Sequence, residues 1–219
     1  MINKWICLLS LFLIASFARA QVNNLVCNCP NSEITGIKAD STFHFSNGKA
    51  IVLCGYREPD STPVRFSEFV IAVCGQTQII DSWGATQSCW AKFQKDTLHI
   101  SEIKYLPVGK DFKYISAKWS NEKIYFRKGK VVKEFAINKR IPKYRVDQIN
   151  AVLAEYQNAK GEINDQKMNL VNKLFVATIS GSRKSRIYFA EFKGKFKLDG
   201  HFSEDYKELA AMLKLWDLR

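Results

Sequence analysis

Apolar positions along the chain recur with two different periods, and the change falls just after Pro142. Before it, apolar and polar residues alternate in short runs, as in strands with one buried face. Residues 42–45 alternate up to Asn47-Gly48, and residues 49–54 (KAIVLC) resume as a buried strand. Asn-Gly between two apolar runs predicts a tight hairpin. Residues 66–74 (FSEFVIAVC) form the next strand, and residues 76–81 continue it or pair with it. Ile51–Gly55 and Ile71–Gly75 both end Cys-Gly and read as neighbouring strands. Strands follow at 89–94 and 97–105, parted by Lys95-Asp96, then at 113–119 and 122–127. The turn Lys128-Gly129-Lys130 leads into a last strand over 131–137. Such a series, without helical periods between strands, predicts an antiparallel β-sandwich or barrel-like sheet.

After Pro142 the period is helical. Tyr144, Ile149, Val152, Leu153 and Tyr156 share one face, ending near Lys160-Gly161. Asp165 is placed to cap a second helix carrying Met168, Val171, Leu174 and Phe175. Residues 185–192 (SRIYFAEF) suit helix or strand and are taken as helix. A final helix opens at Ser203 and carries Tyr206, Leu209, Met212, Leu213 and Trp216. The expected fold class is therefore α+β, with a β-rich domain over residues 21–140 and a small helical bundle over 141–219.

Residues 1–20 stand apart. Lys4, an apolar run over residues 5–17 and Ala18-Arg19-Ala20 have the order of a secretory signal peptide, cut before Gln21. The run is shorter than the roughly 20 residues a membrane-spanning helix needs. The expectation is an exported chain, periplasmic or secreted, where disulfides are permitted. Beyond the leader lie Cys27, Cys29, Cys54, Cys74 and Cys89, all disulfide candidates. Their number is odd, so at least one is left over, and Cys27 and Cys29 are too close to bridge each other. The leader, the Cys-bearing β region and the lysine-rich body together resemble small uncharacterised exported proteins of Bacteroidota. That resemblance is one of layout, and it assigns no functional residue.

Composition changes this picture at one place. Residues 104–145 hold 13 Lys/Arg against 3 Asp/Glu, with eight aromatics between them, whereas the flanking regions are near balance. The candidate anion-binding residues are Lys123, Arg127, Lys128, Lys130, Lys133, Lys139 and Arg140. In an exported protein such a surface suits an anionic polysaccharide, a lipid headgroup or an acidic protein ahead of nucleic acid. Alternating lysines also mark a strand with one solvated face.

The remaining chemistry is thin. The three histidines are His44, His99 and His201. His99 and Glu102 lie three apart in a strand and point to opposite faces, so they share no metal. Cys27-Asn28-Cys29 lacks the second ligand pair of a zinc site. No Gly-x-Ser-x-Gly elbow occurs, and residues 181–185 lack the Gly-Lys-Ser/Thr ending of a phosphate loop. No cofactor or metal is expected. The leading expectation is a non-enzymatic binding or interaction protein. A hydrolase or thiol-dependent enzyme built on Cys89, a histidine and a carboxylate is the alternative, with a structural envelope component behind it.

Overall fold

The period-2 segments pair into a single antiparallel sheet of eight strands, and four helices follow it in an α+β fold. The computed structural model describes residues 27–30, 38–58 and 64–218, so the leader expected at 1–20 lies outside the described residues. The strands are β1 (Ser41–His44), β2 (Ala50–Glu58), β3 (Arg65–Val73), β4 (Ile79–Trp83), β5 (Ser88–Gln94), β6 (Thr97–Leu106), β7 (Ile115–Arg127) and β8 (Lys130–Ile137). Their order is β1-β2-β3-β5-β6-β7-β8, with β4 also pairing β3. One edge of β3 is thus divided: Arg65 and Phe66 pair β5, and Phe69 to Ala72 pair β4.

The sheet curls so that one face of its two ends encloses a common core. Ile51, Leu53, Phe69 and Ile71 from the first strands meet Leu98, Ile100 and Ile124 from the last ones. Phe45, beyond β1, packs edge-on against Phe93 of β5 and Phe126 of β7, both at 4.9 Å. The curl needs bulges, which add local twist. At one of them Gly55 has no room for a side chain, since a Cβ there would lie 2.4 Å from the Glu68 carbonyl oxygen.

Two disulfides, Cys27–Cys74 and Cys29–Cys54, fasten the lead-in to the opposite face, over Val52, Val70 and Ala72. Among the disulfide candidates Cys89 is the correction. It is buried and unbridged, pointing inward across from Glu102, while the paired cysteines cluster on the other face.

The helices are α1 (Val146–Asn158), α2 (Asp165–Ile179), α3 (Arg183–Phe196) and α4 (Gly200–Asp217). Helix α2 is central, with Leu170, Val171, Leu174 and Phe175 essentially inaccessible. Its core continues into the sheet through Leu106, Ala117, Trp119 and Ile137. Residues 185–192 are helical, inside α3. Asn164 rather than Asp165 caps α2, its side-chain oxygen accepting the Lys167 N–H at 3.1 Å, since the cap must precede the first helical residue. The last helix begins at Gly200 rather than Ser203. Among the described residues no helix is long and apolar enough to cross a membrane.

The two strands expected at 113–119 and 122–127 are one strand, β7. Its register passes from Glu102↔Ser120 to Ile103↔Lys118, leaving Trp119 as an extra residue. The bulge breaks the alternation and puts polar Ser120 and Asn121 mid-strand, a pattern that imitates a turn in the sequence.

Each disulfide closes a loop of moderate length, so its removal is expected to cost about 3–4 kcal/mol through the entropy of the unfolded chain. Urea unfolding of a Cys29→Ser/Cys54→Ser variant is expected to show a lower midpoint than the parent. An unchanged midpoint would mean that the Cys29–Cys54 bridge contributes nothing to global stability beyond what Cys27–Cys74 supplies.

Candidate anion-binding site

The tight turns of the sheet gather at one end of the curl. At Lys128-Gly129, between β7 and β8, both residues have positive φ, the two-residue turn that matches strand twist. The β1–β2 turn reaches it: the Lys49 ammonium donates to the Gly129 carbonyl at 2.6 Å and lies 5.3 Å from the Phe126 ring. The same turn is held to the β5–β6 turn, because the Ser46 N–H and hydroxyl both donate to the Asp96 carboxylate, at 2.7 and 2.8 Å. Between the β1–β2 and β7–β8 tips and the β3–β4 connection opens a cleft of about 380 Å³. Its apolar floor includes Ile80, Phe126 and Val131, and Lys49, Lys130 and Lys133 stand around it.

Those lysines differ in their surroundings. Lys133 is ion-paired with Asp81 of β4 and lies 3.8 Å from Glu122, contacts that hold its ammonium above the usual lysine range. Lys49 and Lys130 have no ion-pair partner among the described residues, so the free positive charge of the cleft is theirs. Loops at the mouth of a curled sheet, over an apolar floor with a few converging polar groups, are a common setting for a ligand site.

The sequence candidates are distributed unevenly. Lys130 and Lys133 line the cleft, and Arg127 and Lys128 sit at the adjoining turn, with Arg127 donating to the Tyr125 hydroxyl at 3.0 Å. Lys123 projects from the outer face of β7, opposite His99. Lys139 and Arg140 lie past the far end of β8. There Lys139 stands 4.1 Å over the Trp216 ring and donates to the Trp216 carbonyl. Sequence reasoning missed Lys49 and Asp81. Lys49 stood in the sequence as the residue after the Asn47-Gly48 turn, the one local sign that it belongs at a hairpin tip.

Deeper on the inner face lies a belt of charge. Lys104 bonds Glu102 at 2.8 Å and Glu208 of α4 at 2.6 Å. Burial opposes its charge, yet the two carboxylates outweigh that and raise its pKa. The Ser120 hydroxyl donates to Glu102 at 3.3 Å. Burial, followed by the charge of Asp81, raises the pKa of Glu122. Cys89 adjoins this belt, and its thiol is pushed up to about 12 by burial and then by Glu102. At neutral pH it is a protonated, inaccessible thiol and a poor nucleophile. His99 points to the other face, so Cys89 and His99 do not meet. Among the described residues no group of His, Cys, Asp and Glu is arranged to hold a metal ion.

Searches against family models, curated proteins and solved structures find no match to the chain.

Cys89 is expected to resist a thiol reagent such as DTNB at pH 8 in the native protein and to react fully in denaturant. Fast labelling of the native state would show that the inner face opens. Glu122 gives a pH test. A carboxyl group whose folded pKa is raised adds stability that is complete below its unfolded pKa and is lost as pH rises through the folded value. The Glu122→Gln variant is therefore expected to gain stability relative to the parent as pH rises from 4 to 7, measured by urea midpoints. A constant difference would mean Glu122 ionises normally.

Proposed function

We propose that the chain is an exported binding protein, without a catalytic role, whose cleft at the hairpin tips holds an anionic ligand with an apolar body. The observation that carries this reading is the pairing of two uncompensated ammonium groups, Lys49 and Lys130, with a floor of Ile80, Phe126 and Val131. A free ammonium beside exposed apolar surface favours a ligand with one charged head and a short hydrocarbon segment, the chemistry of an acyl carboxylate or a lipid headgroup region. Purely polar anions would leave the floor wet and gain only the screened attraction of two surface charges. Export is supported by the leader at residues 1–20 and by two disulfides, which persist in oxidising compartments. The protonated, enclosed Cys89 and its separation from His99 favour binding over thiol chemistry.

The test is isothermal titration with dodecanoate and with its uncharged methyl ester. Dodecanoate is expected to bind, and the ester to bind at least about tenfold more weakly, the equivalent of roughly 1.4 kcal/mol. Lys49→Gln/Lys130→Gln is expected to remove that preference. Equal binding of acid and ester by the parent, or full retention of the preference by the variant, would defeat the reading.

A further inference from the structure

The outer face of β5, β6 and β7 carries a second concentration of positive charge, separate from the cleft. The register puts Lys92 of β5 opposite His99 of β6, and His99 opposite Lys123 of β7. Successive strands lie about 4.8 Å apart, so three basic side chains form a row roughly 10 Å across. The two ammonium groups flank an imidazole that burial and the neighbouring lysines keep from taking up a proton. A second row runs beside the first, with Trp90 opposite Ser101 and Ser101 opposite Asn121. Lys118, on the same face of β7, donates to the Asn121 side-chain oxygen at 3.2 Å, and the Ser101 hydroxyl donates to that same oxygen at 3.0 Å.

These groups feel one another. Burial and then Lys92 lower the pKa of Lys118; burial, Lys118 and Lys123 lower that of His99. Among the described residues no carboxylate pairs with Lys92, Lys118 or Lys123. Glu134 stands opposite Lys123 on β8, but its carboxylate accepts the Tyr125 hydroxyl at 2.6 Å. On the inner face of the same strands, by contrast, Lys104 and Lys133 each meet carboxylates. The fold thus compensates its inward lysines and leaves the outward ones in mutual repulsion, a cost that an external anion would relieve.

We infer that the outer face of β5–β7 is a docking surface for an acidic polysaccharide, held through Lys92, Lys118 and Lys123 with Trp90 and Asn121 between them. The three lysines are spread along a strand-built face, exposed at Lys92 and Lys123 and partly buried at Lys118, which suits an extended polymer with repeating acid groups. The partly buried side-chain amide of Asn121, held from beneath by the buried Ser101 hydroxyl, suits a hydroxyl-rich chain between those groups. The partly buried Trp90 ring, beside Lys92, offers a flat apolar plate to a sugar ring. Its indole N–H is buried and has no hydrogen-bond partner among the described residues. The reading is independent of the cleft, because none of the three lysines lines it.

The experiment measures binding of the full mature chain to immobilised heparin and to polygalacturonate over a salt gradient. Wild type is expected to bind both and to be released by salt. Lys92→Gln/Lys118→Gln/Lys123→Gln is expected to bind on the order of tenfold more weakly or worse. Its thermal midpoint should equal or exceed the parent's, because repulsion has been removed. The cleft variant Lys49→Gln/Lys130→Gln is expected to bind both polysaccharides like wild type. Failure of the wild type to bind either matrix would overturn the inference, as would undiminished binding by the triple variant or loss of binding by the cleft variant. Displacement by single-stranded DNA as readily as by free polysaccharide would show a surface that reads charge alone, and the assignment to a polysaccharide would fail.

Discussion

Strand β7 belongs to the two larger hydrophobic cores, and the rest of the molecule depends on how it passes between them. Its hairpin half turns Ile124 into the core enclosed by the curled sheet. Its other half gives Ala117 and Trp119 to the core shared with the helices, where Trp119 meets Phe175 and Trp216 at 5.8 and 5.9 Å. A regular strand keeps one phase, so an inserted residue is what re-aims the chain between the two, and Trp119 is that residue. At the changeover the inner face cannot be apolar on both sides at once. Ser120 and Glu122 occupy it, with Glu102 across from Ser120 and Lys104 two residues farther along β6, opposite Ala117.

That belt is costly unless every charge is matched. Taking an ammonium or a carboxylate out of water is repaid only by good geometry and further hydrogen bonds. The matching groups come from distant parts of the chain: Glu208 from the last helix meets Lys104, and Asp81 from β4 meets Lys133. Each pair therefore also fixes an arrangement. Glu208 ties the helices to the sheet, and Asp81 ties the fourth strand to the eighth, which draws the curl together. The cleft follows from the same closure, since it brings the β1–β2 and β7–β8 tips within reach of each other.

Much of this was legible in the sequence. The change from period 2 to period 3.6 after Pro142 marked the α+β division, and Asn47-Gly48 and Lys128-Gly129 marked two hairpins. Residues 185–192, ambiguous between helix and strand, are held as helix by burial of Phe189 and Phe192 against the bundle. Trp119 was not legible as a bulge, because an extra residue in a strand leaves the same trace as a short turn. Disulfide pairing was not legible either, since it depends on which face each cysteine occupies after β2 and β3 have paired. Lys49 and Asp81 lie far along the chain from residues 104–145 and join the cleft and the belt through tertiary structure alone.

The basic middle of the chain shows why composition misleads about sites. A strand sends alternate residues to opposite faces, so a run rich in lysine becomes two populations once the sheet forms. Inward lysines must recruit carboxylates or the core would not tolerate them, and they are then spent on structure. Lys104 is of this kind, and Lys133, prominent in the sequence but partly exposed at the cleft, is likewise taken up by Asp81. Outward lysines carry no such obligation, and nothing in the described fold neutralises Lys118 or Lys123. A surplus of positive charge therefore measures available binding surface only after the inward share is subtracted. Part of what remains stands at the cleft, as Lys130, and part on the outer face of β5–β7, as Lys118 and Lys123. The second draws on Lys92, from a segment whose own charge is near balance. It could be seen only once the register had set that residue opposite His99 and across from Lys123.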